Sequence, residues 1–148
     1  MWAYNDVHKD VVKLFLHHSE RIELNARGNN GETAFMIACE FGHKEVVQLL
    51  LENSNIDLKA RDNHGWTAFI NACSRGHKDV VKLLLDHSER FDLNAKDNNG
   101  RTALMIASQK SIVKLIKAKL HQIEAPQKTV HQIMTRQRTK MIKAKLSQ

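Results

Sequence analysis

The 148-residue chain has little of the material that staples or punctuates a fold: two cysteines, one proline, six glycines, and aromatic residues at only 5%. It holds no apolar run of the roughly 18 residues that a membrane-spanning helix needs, and its start, M-W-A-Y-N-D, is too polar for a secretory signal. Cys39 and Cys73 occupy equivalent places in two similar stretches. Stacking those stretches should hold their Cα atoms beyond the roughly 7 Å limit for a disulfide, so both read as small core residues. The lack of a disulfide framework and of N-x-S/T sequons predicts an intracellular protein, cytoplasmic or nuclear. H-E-x-x-H, C-x-x-C, a phosphate loop and G-x-S-x-G are all absent. His8, His43 and His77 share one recurring place, before a helix, where a turn role fits better than catalysis. The expectation is a protein with no enzymatic activity, no metal, no cofactor and no small-molecule substrate.

What the chain does have is repetition. Asn63 to Leu85 reads N-H-G-W-T-A-F-I-N-A-C-S-R-G-H-K-D-V-V-K-L-L-L, and Asn29 to Leu51 reads N-N-G-E-T-A-F-M-I-A-C-E-F-G-H-K-E-V-V-Q-L-L-L. From Asn98 a third copy, N-N-G-R-T-A-L-M-I-A-S, begins and then shortens. Gly31, Gly65 and Gly100 lie 34 and 35 residues apart, a period that marks a solenoid of units too small to bury an apolar face alone. Within a unit, the Asn-Gly lead-in suits a tight turn, and Thr33, Thr67 or Thr102 stands at an N-cap. A short helix rich in small residues follows. Gly42 and Gly76 end it, and a second helix presents Val46, Val47, Leu49 and Leu50, or Val80, Val81, Leu83 and Leu84, on one face.

These residues resemble the ankyrin repeat, with its T-P-L-H-x-A start, G-H turn and V-V-x-L-L second helix. The resemblance covers roughly Asp6 to Lys119 and implies an all-α solenoid of helix-turn-helix repeats with short β-turn hairpins. Ala34, Ala68 and Ala103 stand where the family has Pro, and Met36, Ile70 and Met105 where it has His. Losing that His removes a hydrogen bond that ties neighbouring repeats, so apolar packing is expected in its place, with modest stability per repeat.

The expected layout is a repeat domain at 1–125, made of an incomplete first repeat (1–28), two full repeats (29–62 and 63–97) and a shortened last one (98–125), followed by a basic helical or flexible tail at 126–148. In the first repeat Val7 stands where Gly42 and Gly76 stand, and only Trp2, Ala3 and Tyr4 remain of the first helix. Lys9, Asp10, Lys13, His17 and His18 suit the water-facing side of an end cap, with Trp2 and Tyr4 packed over the core edge. Ile22, Ile56 and Phe91 are the expected buried anchors of the longer loops between units. In the last repeat the Gly-His-Lys turn is missing, so its second helix starts late or fuses with the first. Ser111 is placed to cap that helix, and Pro126 to halt it near Glu124.

Charge divides the chain. Residues 1–109 carry 13 Lys and Arg against 15 Asp and Glu, whereas residues 110–148 carry 10 against one. Lys128, Arg136, Arg138, Lys140, Lys143 and Lys145 follow Pro126 with no acidic residue among them. K-L-I-K-A-K-L at Lys114 to Leu120 returns as K-M-I-K-A-K-L at Lys140 to Leu146, a duplication with no physical account. On a helix Val130, Met134 and Met141 share a face with Ile133 at its edge, whereas Ile142 and Leu146 drift off it, so the amphipathicity is imperfect. Such a tail suits an acidic protein partner, self-association, an anionic membrane surface or nucleic-acid phosphates, and equally a solvated extension without a ligand. No aromatic interleaves its basic residues, so base stacking is unsupported.

The resemblance implies a scaffold or adaptor that binds a partner protein through turn tips and the exposed side of the first helices, lining a concave face. Carried onto this sequence, the partner-binding positions are Glu32, Glu40, Phe41, His64, Trp66, Arg75, Asn99 and Arg101. Phe41 and Trp66 stand out as large apolar residues where the fold needs none, which suits binding anchors. The competing reading of Trp66 is packing over the neighbouring hairpin. Neither the partner nor the oligomeric state is legible.

Overall fold

A computed structural model describes residues 2–18 and 23–147, with the side chains of residues 2–9 excepted. Expectations for the packing of Trp2 and Tyr4, for the side chain of Lys9 and for Ile22 lie outside the described residues. Seven α-helices occur among them: α1 (Trp2–His17), α2 (Ala34–Glu40), α3 (Lys44–Leu51), α4 (Ala68–Arg75), α5 (Lys78–Asp86), α6 (Ala103–Ile106) and α7 (Lys110–Leu146). The single bridge of β type, antiparallel between Lys96 and Thr102, closes a hairpin and founds no sheet among the described residues.

The helices form two layers. α2, α4 and α6 stack side by side as an inner layer, while α1, α3, α5 and α7 stack as an outer one. The two full inner helices combine bulky and small residues, and Phe35, Met36, Ala38 and Cys39 of α2 and Phe69, Ile70, Ala72 and Cys73 of α4 are all buried. Val47, Leu50 and Leu51 of α3, and Val80, Val81, Leu84 and Leu85 of α5, close the core from the other layer. Met36 and Ile70, where the resemblance has His, are buried, but Met105 of the last unit is 71% exposed. Both cysteines are free and buried; desolvation by burial pushes the Cys73 thiol up to about 12 and raises that of Cys39 as well. Neither is a reactive thiolate at neutral pH.

Polar ties supplement the apolar packing between units. The Asn63 N–H donates to the Asn30 carbonyl at 2.9 Å and the Asn98 N–H to that of His64 at 3.1 Å. Arg27 reaches the Arg61 carbonyl at 2.6 Å, and Arg61 that of Lys96. The chains approach so closely at Gly65 (φ +77°) that a Cβ there would meet the Asn98 backbone nitrogen at 2.8 Å. Glycine is therefore required twice over, by dihedral and by space. In the loops, Ile56 is buried and Phe91 half-buried, its ring 5.3 Å from that of Phe69.

Four expectations need correction. α1 runs unbroken through Val7, because the turn at Gly42 and Gly76 uses φ of +71° and +81°, which a β-branched residue resists. Its outer side is not purely polar: Asp10, Lys13, His17 and His18 are exposed, but so are Val11, Leu14 and Phe15. In the last unit α6 and α7 neither fuse nor use Ser111 as a cap. Ala107 to Gln109 separate them, Gln109 is the N-cap residue, and neither it nor Thr102 makes a side-chain cap bond. Finally, Pro126 does not halt α7, which spans 37 residues. Pro126 has no N–H for the Gln122 carbonyl, yet both residues are exposed, so water can take that acceptor and the helix continues at a local cost.

Candidate partner-binding face

The face expected to meet a partner is built from the hairpin turns. Asp62 and Asp97 each organise one: Asp62 Oδ1 accepts from the N–H groups of His64 and Trp66, both at 2.8 Å, and Asp97 Oδ1 from those of Asn99 at 2.9 Å and Arg101 at 2.8 Å. The backbone closes the same loop, Asp62 N–H to the Trp66 carbonyl and Asp97 N–H to that of Arg101. Gly28 takes this place in the first hairpin, bonding the Glu32 carbonyl at 2.9 Å. Three turns of one geometry thus present their tips along one edge. Thr33 and Thr67 then cap α2 and α4 by accepting from Met36 and Ile70.

Between these tips and the inner helices lies a shallow hollow of about 500 Å³ lined by Glu32, Glu40, Asp62, His64, Trp66, Asn71, Arg75, Asn98, Asn99 and Arg101. Seven of the eight positions expected from the resemblance come together there. The exception is Phe41, which is 63% exposed and stacks on His43 with ring centroids 6.4 Å apart. Asp62, Asn71 and Asn98 lie outside those eight positions. Asn71 is a polar residue where Ile37 and Ile106 stand in the other units, and that substitution was the readable signal for it.

Much of the hollow's charge is already paired. Arg75 of α4 bridges to Glu40 of α2 at 2.5 Å. The Glu40 carbonyl also bonds His77 Nε2 at 2.7 Å, so the end of α2 is tied to the next unit twice. Arg101 binds Asp97 Oδ2 through Nε at 2.9 Å and Nη2 at 2.8 Å. Burial of Asp97 disfavours its carboxylate, but the hydrogen bonds from Arg101 and Asn99 and the guanidinium charge outweigh this and hold it below the usual carboxylate range.

Trp66 belongs to the same network. Its Nε1–H donates to Asp97 Oδ2 at 3.2 Å, and the ring is half-buried against the core. The fold therefore does use this residue, in line with the competing reading of packing over the neighbouring hairpin. Trp66 lines the hollow while its indole N–H is committed to the next hairpin.

The basic positions Lys128, Arg136, Arg138, Lys140, Lys143 and Lys145 are all exposed on α7, far along the chain from the hollow. Lys128 pairs with Glu124 at 3.3 Å. A hollow of about 630 Å³ on this helix is lined by side chains between His131 and Lys143 alone. Side chains of one helix cannot shut a ligand off from water, so it is no enclosed site. Among the described residues, no group of three or more His, Cys, Asp or Glu could hold a metal ion, and no helix is long and apolar enough to cross a membrane.

The family described as ankyrin repeats (3 copies) matches residues 1–62 and 54–128, nearly the whole two-layer stack. The chain belongs to the ankyrin-repeat family. Its fold is accordingly an all-α ankyrin solenoid, and repeats of this kind generally mediate protein–protein interaction. A stretch of 49 residues is also 47% identical to part of the probable E3 ubiquitin-protein ligase XBOS32 of Oryza sativa subsp. japonica. That stretch is 32% of this ankyrin chain but only 10% of the relative's length.

Proposed function

We propose that this ankyrin solenoid is a non-catalytic scaffold whose concave hollow docks a segment of a partner protein. The observation that supports it best is the convergence of Glu32, Glu40, His64, Arg75, Asn99 and Arg101, contributed by three successive units, around one open polar depression. Exposed main chain at the turn tips and a mixture of carboxylates and guanidiniums suit a peptide segment carrying both signs of charge. The internal pairs Arg75–Glu40 and Arg101–Asp97 hold those side chains in place, which lowers the ordering cost on binding. A photo-crosslinking residue placed at His64 or Asn99 in the full chain should give adducts in cell extract that the same residue at Lys82, on the outer layer, does not. Equal labelling from both faces would remove the hollow as the docking site.

A second reading, in which the basic tail supplies the main affinity, is favoured by one fact: every residue from 121 to 147 is exposed. Tail-driven binding to a polyanion weakens steeply with added salt, whereas concave recognition through paired charges does so less.

A further inference from the structure

α7 carries a pattern that its charge conceals. Ile112 and Ile116 are fully buried against the solenoid and Leu120 is half-buried, while from residue 121 the helix outruns the repeats. Along the same line, the exposed part presents Ile123, Val130, Met134 and Met141, with Gln127 and Gln137 at the two intervening positions, while Ile133, also exposed, flanks that line and the exposed Ile142 and Leu146 fall off it. At about 100° per residue, Ile112, Ile116, Ile123, Val130, Met134 and Met141 fall within a sector about 40° wide. The bare stripe is thus a direct continuation of the one the solenoid covers. Its steps alternate between three and four residues, the spacing by which one helix receives the knobs of another.

The width and composition of the stripe select among occupants. A helix lying in a membrane surface needs a broad apolar face, commonly with aromatics. Here Arg138 and Lys145 separate the exposed Ile142 and Leu146 from the stripe, Gln127 and Gln137 interrupt it, and no aromatic residue follows Phe91. The flanks select further. His131, Arg138 and Lys145 border one side and Lys140 the other, and no carboxylate follows Glu124. A second copy of this chain paired in parallel along the stripe would set Lys140 against Lys145 of the other copy, which like-charge repulsion disfavours. Pro126 lies at the edge of the stripe and so leaves its centre clear.

We propose that residues 120–146 of α7 form one strand of a heterotypic coiled coil whose other strand is an acidic amphipathic helix of a partner protein, with apolar residues on the seam and Glu along its flanks. The segment holds between three and four heptads, about 40 Å of helix, enough for a stable pair. It deepens the tail-driven reading and does not depend on the concave hollow.

The test titrates the full chain into a fluorescently labelled synthetic acidic peptide of four heptads, Leu and Ile on the seam and Glu on the flanks. A scrambled peptide of the same composition and vesicles of phosphatidylcholine and phosphatidylserine serve as alternatives. The heptad peptide is expected to bind and the scramble to bind at least about tenfold more weakly. The double substitution Val130→Ser and Met134→Ser leaves the charge unchanged and should weaken heptad binding by a similar factor, with the melting of the repeats unmoved. His64→Ala, in the hollow, should leave it unchanged. The proposal fails if the heptad peptide does not bind, if scramble and heptad bind alike, or if the serine variant binds as the parent does. It also fails if vesicles bind tightly where the peptide does not, or if sedimentation equilibrium shows the free chain already paired with itself.

Discussion

At the scale of single residues, Asp97 does the most. One oxygen shapes its own hairpin, the other accepts from Trp66 of the preceding unit and from Arg101, and its residue is buried. Asp97→Asn would keep one acceptor but turn an N–H group toward the donors of Trp66 or Arg101, leaving a buried clash of like partners. Because folding lowers the Asp97 pKa below its ordinary 3.8, the stability it contributes is complete above about pH 4 and is lost as the pH falls through the folded value. The difference in melting temperature between parent and Asp97→Asn should therefore be constant above about pH 4 and shrink below it. A thermal series from pH 2.5 to 7 reads this directly; a gap that widens in acid contradicts it. Trp66 makes the complementary test. Trp66→Phe keeps most of the ring and loses the N–H, at about 1 kcal/mol, whereas Trp66→Ala should cost about 2–3 kcal/mol, less than a fully buried tryptophan. The residue's place in the sequence, between a turn glycine and a capping threonine, left anchor and packing as competing readings, because its partner lies 31 residues away. The recurrence of Asp62 and Asp97 at one repeat position was the visible clue.

At the scale of the element, the two full repeats were legible and the ends were not. α2 to α5 follow from recurring Thr caps, turn glycines and V-V-x-L-L faces, since each of these acts locally and appears twice. The ends depart where a local rule lost its context: Val7 cannot make the turn, and Pro126 sits where no packing depends on a straight helix. Leu84 is 1% exposed on α5, which packs between α3 and α7, so Leu84→Ala should cost about 2–5 kcal/mol in chemical denaturation. An unchanged midpoint would mean that the helix register is different. For α7 the expectation has the opposite sign. Pro126→Ala restores a backbone donor in an exposed helix interior, where proline costs about 3 kcal/mol relative to alanine, and should raise the far-ultraviolet helical signal without moving the melting of the repeats.

At the scale of the whole molecule, charge and packing divide the chain at nearly the same place. The solenoid up to residue 109 is close to neutral, with two more acidic than basic residues, whereas the remainder carries nine more basic than acidic. Packing follows suit: α7 is buried only at Ile112 and Ile116, has its last half-buried residue at Leu120, and is wholly exposed beyond it. Apolar burial is what holds a repeat array together, so a segment that buries nothing adds nothing to the array's cohesion. Removing residues 126–148 should therefore leave the melting temperature of the solenoid within about 1–2 °C of the parent, since a shift of that size corresponds to well under 1 kcal/mol for a domain of this length. Helical signal should fall by the share of the 21 residues of α7 that are lost, from Pro126 to Leu146, and no more. If truncation instead unfolds the repeats, the tail must fold back onto the solenoid in solution, and the bare stripe of Ile123, Val130, Met134 and Met141 would then be covered by the chain's own surface. Differential scanning calorimetry on parent and truncated chain, each with a far-ultraviolet spectrum at 20 °C, separates the two outcomes, because only loss of a packed contact lowers both the transition temperature and the unfolding enthalpy of the remaining residues.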